Sequence, residues 1–182
     1  KKPMIISTGM ASKNEIFEAV ENAKKYGCKN LAILKCTSTY PAPIEDINLN
    51  TINDMRKEFN CEVGLSDHTL GIGVPLAAIS LGATLIEKHF TLSRKIKSTD
   101  SAFSAEPNEF KQLVEESKKI IGSLGKIKYG PTNSEKKSLI FRRSIYVVKN
   151  IKKNTLITKY NIKSIRPALG IKTKFYDEVI GR

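Results

Sequence analysis

Over the first 120 residues, short apolar runs alternate with stretches whose apolar positions recur every three or four residues, the pattern of βα units around a parallel sheet. Four such units are legible. Met4–Ser7 reads as a strand, and Ser12 with Glu15 forms a capping box for a helix that places Ile16, Ala19, Val20 and Ala23 on one face before Gly27 ends it. Leu31–Leu34 is the second strand. Pro41 and Pro43 keep the loop from Cys36 to Ile47 out of helix, and a helix is predicted from Leu49 to Phe59. The third unit pairs a strand at Glu62–Ser66 with a short apolar helix carrying Pro75 near its first turn, across the loop from Asp67 to Gly73. Thr84–Glu87 is the fourth strand. A long loop then runs to Glu106, and a helix opens at Pro107 with Phe110, Leu113, Val114 and Ile121 on one face. Loops of that length in a compact domain usually carry function.

Four parallel strands alone would leave an open edge, so more chain is expected before Lys1. A closed TIM-type (β/α)8 barrel lacking its first half fits the count, and an open doubly wound sheet is the alternative. The segment GKIKYGPTNSEKKS, 125–138, is polar and punctuated by Gly and Pro, which predicts a linker between a barrel half over 1–124 and a second module over 139–182. In that module Ser144–Val148 and Ile162–Ile165 read as strands and Asn150–Asn154 as a turn.

Composition narrows the class. With 40% hydrophobic and 27% charged residues and no apolar run of bilayer length, a soluble protein with no membrane partner is expected. There is no initiator Met and no leader-like segment, so the chain reads as a fragment, expected to be inactive alone. Cys28, Cys36 and Cys61 form no Cys-x-x-Cys pair, which argues against a disulfide framework or a thiolate zinc site and makes a reducing cytoplasm the default. The net charge of +13 is unevenly placed: residues 1–110 carry 13 basic and 13 acidic side chains, residues 140–182 carry 11 and 2. A basic appendage on a neutral body suits an anionic ligand or a solvated surface. A basic module for nucleic acid or acidic glycans is a second reading, opposed by interspersed charge and the lack of an aromatic stacking platform.

The chain has two histidines, His68 and His89, each just beyond the carboxyl end of a predicted parallel strand. Ligand sites of α/β barrels and open sheets lie at that end, and two imidazoles with oxygen ligands suit a divalent ion. Strand alternation places Ser66 with His68 and Glu87 with His89, and turns Asp67 and Lys88 the other way. The same alternation disfavours a Schiff-base aldolase using Lys35 or Lys88. Asp100, in the long loop, suits a base or a holder of sugar hydroxyls, and Thr37, Ser38 and Thr39 suit phosphate or carboxylate oxygens. No P-loop, nucleophile elbow or dinucleotide fingerprint is present.

ILKCTSTYPAPIEDINLNTI at 33–52, VGLSDHTLGIG at 63–73 and IEKHFTLSR at 86–94 resemble the N-acetylneuraminate (sialic acid) synthase family. ISTGM at 6–10, DSAFSAEPNEF at 100–110, FRRSIYVV at 141–148 and IRPALGI at 165–171 fall in the family's order. CTSTYPAP, SDHTLGIG and DSAFS most resemble its pseudaminic acid branch, ahead of the N-acetylneuraminate and legionaminate branches. The resemblance implies a TIM barrel that binds phosphoenolpyruvate, a following antifreeze-like SAF domain, and a domain-swapped homodimer. It implies His68 and His89 as ligands of Mn2+ or Mg2+, Ser38 and Ser66 as phosphoenolpyruvate contacts, and Asp100, Phe141 and Arg166 as contacts to an amino sugar. Two positions depart from the family pattern: Ser38 stands where Asn is frequent, and Ala168 where a second Gly follows Arg-Pro.

Overall fold

The apolar runs of the first unit pair as four parallel strands in chain order: β1 (Met4–Ser7), β2 (Leu31–Cys36), β3 (Glu62–Asp67) and β4 (Ile86–Lys88). The computed structural model describes residues 2–182. A doubly wound sheet reverses strand order at its switch point, whereas these four neighbours follow in sequence, as successive units of a barrel do. The chain divides into two units between Lys126 and Ile127.

Local signals start and stop the helices. Ser12 caps α1 (Lys13–Lys25) through the capping box with Glu15, and Lys24 and Lys25 in its last turn complement the helix dipole. Gly27 follows with φ 86. The next helix, α2 (Thr51–Phe59), starts two residues later than expected, because a 3-10 turn at Ile44–Asp46 and Asn48, with φ 49, occupy the approach. After α3 (Gly73–Ser80), Pro107 opens α4 (Pro107–Leu124), and Glu106 and Glu109 form its capping box.

Alternation along the strands divides the sheet into two faces. Leu31 and Ile33 of β2 and Val63 and Leu65 of β3 pack with Val20, Ile52, Met55, Phe59 and Ala78 in the helix-side core. The opposite face carries Leu34, Cys36, Gly64 and Ser66. Glycine at 64 lets β4 approach: a Cβ there would lie 2.3 Å from the Leu85 carbonyl oxygen and 2.6 Å from Leu34 Cδ2.

Several boundaries differ from the sequence reading. β2 runs on to Cys36 and β3 to Asp67, because pairing of Cys36 with Ser66 and of Asp67 with Lys88 continues the sheet past the last apolar residue. β4 covers Ile86–Lys88 rather than Thr84–Glu87, although Thr84 N–H already donates to Val63 O and Leu85 O accepts from Leu65 N–H, both at 2.9 Å. α4 packs against α3 and buries Leu113, but Val114 and Ile121 stay 43% and 62% exposed. One neighbouring helix covers a narrower stripe than the sequence pattern offers.

In the second unit, β5 (Ser144–Val147) lies between β6 (Ile162–Ile165) and β7 (Ile171–Lys172), all antiparallel, over a small core that buries Ile145 and Ile162. A 3-10 turn, Glu135–Phe141, begins in the expected linker and runs three residues past its end, and β7 and a short helix, α5 (Tyr176–Val179), add to the expected elements. The two-residue β7 and the four-residue α5 are too short to show a period.

Gly64→Ala is expected to lower the thermal midpoint of the full-length protein, at a cost of ~1–3 kcal/mol typical of overpacking. A midpoint equal to wild type would mean that the close approach of β3 and β4 carries no stability.

Candidate functional site

His68 and His89 directly follow β3 and β4 at the carboxyl edge of the sheet, and their ring centroids are 5.1 Å apart at 76°. One position earlier on the same face, Ser66 Oγ donates to Glu87 Oε1 at 2.6 Å across the register pair Ser66–Glu87. His68 is buried, with Nδ1 2.9 Å from the Thr37 carbonyl oxygen. A carbonyl oxygen only accepts, so Nδ1 carries a proton, and in the neutral ring the lone pair lies on Nε2. The His68 carbonyl in turn accepts from Ala42 N–H at 3.0 Å, fastening the β2–α2 loop to the histidine strand.

Aromatic rings wall the pair. Tyr40 stacks on His68 at 4.2 Å and stands 5.8 Å from His89 and 5.9 Å from Phe103, while Phe103 lies 5.0 Å from His89. The sequence pattern does not single out Tyr40: it sits in an irregular loop before Pro41, where no periodicity marks it. Ser38 Oγ lies 3.6 Å from Cys36 Sγ. A Cβ at residue 9 would fall 1.9 Å from that oxygen, so Gly9 makes room for Ser38.

Asp100 reaches the site because the long loop doubles back. Ala105 N–H donates to His89 O at 2.8 Å and Thr91 N–H to Ala105 O at 3.0 Å, while Asp100 Oδ2 lies 3.5 Å from His89 Nδ1. Arg94 clamps the neck of this loop. Its Nε donates to Ser104 O at 3.1 Å, its backbone N–H to Glu106 Oε1 at 2.8 Å, and its guanidinium pairs with Glu109. The hydrogen bond from Arg94, then that from Glu106 N–H, holds the Glu109 carboxyl below its usual range.

On the other face Lys88 is buried against Asp67, and Lys35 Nζ donates to Thr37 Oγ1 at 2.8 Å and to Cys36 O at 3.1 Å. Burial lowers the Lys35 pKa, which a Schiff-base lysine requires, but alternation turns this lysine to the side of Leu31 and Ile33. A hollow of about 950 Å3 lined by Met4, Leu31, Asn60, Glu62 and Leu85 lies at the opposite, amino-terminal end of the strands. That end of a barrel serves stability rather than chemistry.

Among the described residues no group of three His, Cys, Asp or Glu side chains is arranged to hold a metal. The two imidazoles nonetheless fit a divalent ion as partial ligands: the Thr37 carbonyl takes Nδ1 of His68 and Asp100 faces Nδ1 of His89, the arrangement that leaves Nε2 for a metal. In the second unit, Phe141 is 63% exposed, Arg166 is exposed, and Ala168 N–H donates to Ile140 O at 2.9 Å, tying together the segments that carry Phe141 and Arg166. The structure thus gathers Ser38, Ser66, His68, His89 and Asp100 at one end of the first unit, while Phe141 and Arg166 belong to the second. No helix among the described residues is long and apolar enough to cross a membrane.

The fold and site define the second half of a parallel TIM barrel with a two-histidine edge, followed by a small antiparallel module. Residues 1–129 match the NeuB family model and residues 142–182 the SAF domain model, and the chain belongs to the NeuB family. It is 44% identical over 182 residues to a pseudaminic acid synthase of Campylobacter jejuni, covering 100% of this chain and 53% of the relative. It is 40% identical over 184 residues to an N,N'-diacetyllegionaminic acid synthase of the same species, covering 100% and 55%. The crystal structure of an N-acetylneuraminic acid (sialic acid) synthetase from Leptospira borgpetersenii superposes with a TM-score of 0.69 at 39% identity, over 75% of this chain and 48% of that one. The chain spans about half the length of the curated relatives it matches.

The Arg94 clamp has a pH signature. Glu109 has a lowered folded pKa, so its contribution is present above the unfolded value, near the usual 4.5, and is lost as pH falls through the folded value. The thermal advantage of wild type over Arg94→Gln is therefore expected to be full at pH 7 and to shrink below about pH 4.5. An advantage that stays constant down to the acid limit would exclude the clamp as its source.

Proposed function

We propose that the protein is a nonulosonic acid synthase that joins phosphoenolpyruvate to 2,4-diacetamido-2,4,6-trideoxy-L-altrose, giving pseudaminic acid and phosphate. The observation that carries this reading is the pair of imidazoles at adjacent strand ends, His68 held at Nδ1 by the Thr37 carbonyl, in a chain 44% identical over its whole length to a pseudaminic acid synthase. In the reaction, C3 of phosphoenolpyruvate attacks the aldehyde carbon, water adds at C2, and inorganic phosphate leaves.

His68 and His89 hold Mn2+ or Mg2+ through Nε2, and the ion when bound supplies Lewis-acid polarisation of the aldehyde oxygen. The Thr37 carbonyl fixes the His68 tautomer and ring plane, and Asp100 faces Nδ1 of His89 while remaining 42% exposed for a sugar hydroxyl. Ser66 and Ser38 present hydroxyls to the oxygens of phosphoenolpyruvate. Tyr40 and Phe103 form an aromatic wall beside the imidazoles. An apolar wall accepts the methyl groups of a 6-deoxy diacetamido sugar without stranding polar groups, which favours this sugar over N-acetylmannosamine. The 40% identity to a legionaminic acid synthase makes the gluco-configured diacetamido sugar the nearest competitor.

Phe141 and Arg166 act on the sugar from the SAF domain of a second protomer in a domain-swapped homodimer. Support for this comes from the resemblance of FRRSIYVV and IRPALGI to the family and from the basic charge of residues 140–182, suited to a doubly anionic complex.

Phosphate release by the full-length protein tests the substrate: kcat/KM is expected to be highest for the L-altro sugar, with N-acetylmannosamine lower by up to roughly a hundredfold, since a hydrophobic pocket rejects an added hydroxyl only to that extent. Equal or higher efficiency with N-acetylmannosamine or the legionaminate precursor would overturn the substrate while leaving the synthase.

The swapped arrangement has a separate test. Arg166→Ala and His89→Ala proteins, each inactive, should regain activity when mixed and allowed to exchange protomers. Mixed dimers without recovery would exclude action in trans.

A further inference from the structure

Behind the imidazoles, on the helix side of β3 and β4, lies a buried polar cluster that no step of the reaction uses. Lys88 Nζ donates to Asp67 Oδ2 and to the Thr69 carbonyl, both at 2.6 Å. The other oxygen of Asp67 accepts from Thr69 N–H at 3.0 Å and Thr69 Oγ1 at 2.8 Å. The Lys88 and Asp67 side chains are 2% and 0% exposed.

Folding alone gives little reason for such a pair. Removing two charges from water offsets most of their attraction, and a well-packed apolar pair commonly serves stability as well or better. Its placement is more specific than its energy. Asp67 and Lys88 are register partners, and each is joined by a peptide bond to one of the two histidines. Lys88 grips the residue before His68 and the residue after it, and itself precedes His89. β4 has three residues and ends at Lys88, so this ammonium is the last side-chain tie between the two strands before the imidazoles diverge into separate loops.

We propose that Asp67 and Lys88 are positioning residues: their ion pair, extended to Thr69, fixes the spacing of His68 and His89 so that both Nε2 atoms meet one divalent ion. The inference rests on the reading of His68 and His89 as metal ligands. In a strand pair without this tie, backbone pairing would still form the sheet, but the two rings would sample a range of separations and bind the ion less tightly.

The test is Mn2+ binding by the full-length protein, followed by calorimetry and by the electron paramagnetic resonance of the bound ion. Lys88→Met strands a buried carboxylate and lowers the thermal midpoint whichever role the pair has. Asp67→Asn/Lys88→Met removes both charges and is expected to recover most of the midpoint, while Kd for Mn2+ stays at least about tenfold weaker than wild type, the usual effect of losing a group that orients a ligand. Wild-type affinity and spectrum in that double variant would overturn the inference. Should the double variant not fold, Thr69→Val, which removes one bond to Asp67 and keeps shape, decides: a smaller loss of affinity in the same direction supports the positioning role, and unchanged affinity overturns it. His68→Ala separates this from the reading beneath it. Unaltered Mn2+ binding in His68→Ala would remove the metal site itself, whereas its loss there with wild-type binding in the double variant would remove only the positioning role.

Discussion

The parallel pairing of β3 with β4 in a single register, Ser66 opposite Glu87 and Asp67 opposite Lys88, decides which groups meet at the carboxyl edge of the sheet. Side chains alternate along both strands, so this register sends Ser66, His68, Glu87 and His89 to one face and Asp67 and Lys88 to the other. A slip of one residue would exchange the faces, driving imidazoles into the apolar helix packing and a buried ion pair into the open. The close approach at Gly64, the bond from Ser66 to Glu87 and the Asp67–Lys88 pair all oppose that slip.

Loops then turn a strand edge into a site. The β2–α2 loop is bound to His68 twice, by the Thr37 carbonyl at Nδ1 and by Ala42 N–H at the His68 carbonyl, so one loop sets both the tautomer and the ring's position. The loop after β4 is fixed differently. Its two ends pair beside His89 through Ala105, and the charges of Arg94, Glu106 and Glu109 hold its neck against the start of α4. These ion pairs are about one-third exposed, so their attraction is screened by water, and the backbone bonds at Ala105 carry more of the geometry.

Much of this was legible in the sequence because periodicity and capping leave strong marks. The four βα units, the capping box at Ser12 and the opening of α4 at Pro107 follow directly from residue patterns. The position of both histidines just past strand ends was visible too, and with it the separation of His68 and His89 from Asp67 and Lys88. Strand ends were less legible where polar residues pair, as at Cys36 and Asp67, since apolarity stops before the hydrogen bonds do. Tyr40 and the Thr37 carbonyl escaped pattern reading because their roles arise from loop conformation. The family resemblance, not spacing, pointed to Phe141 and Arg166, and it singled out Ser38 from the hydroxyl cluster of Thr37, Ser38 and Thr39.

His68 and His89 are proposed to act together on one metal ion. The most direct test is a crystal structure of the full-length protein grown with Mn2+, with diffraction recorded on both sides of the manganese absorption edge. A single anomalous peak within coordination distance of Nε2 of both histidines is the predicted result. A peak bound to other residues, or to one histidine through Nδ1, would exclude a metal shared by the two imidazoles.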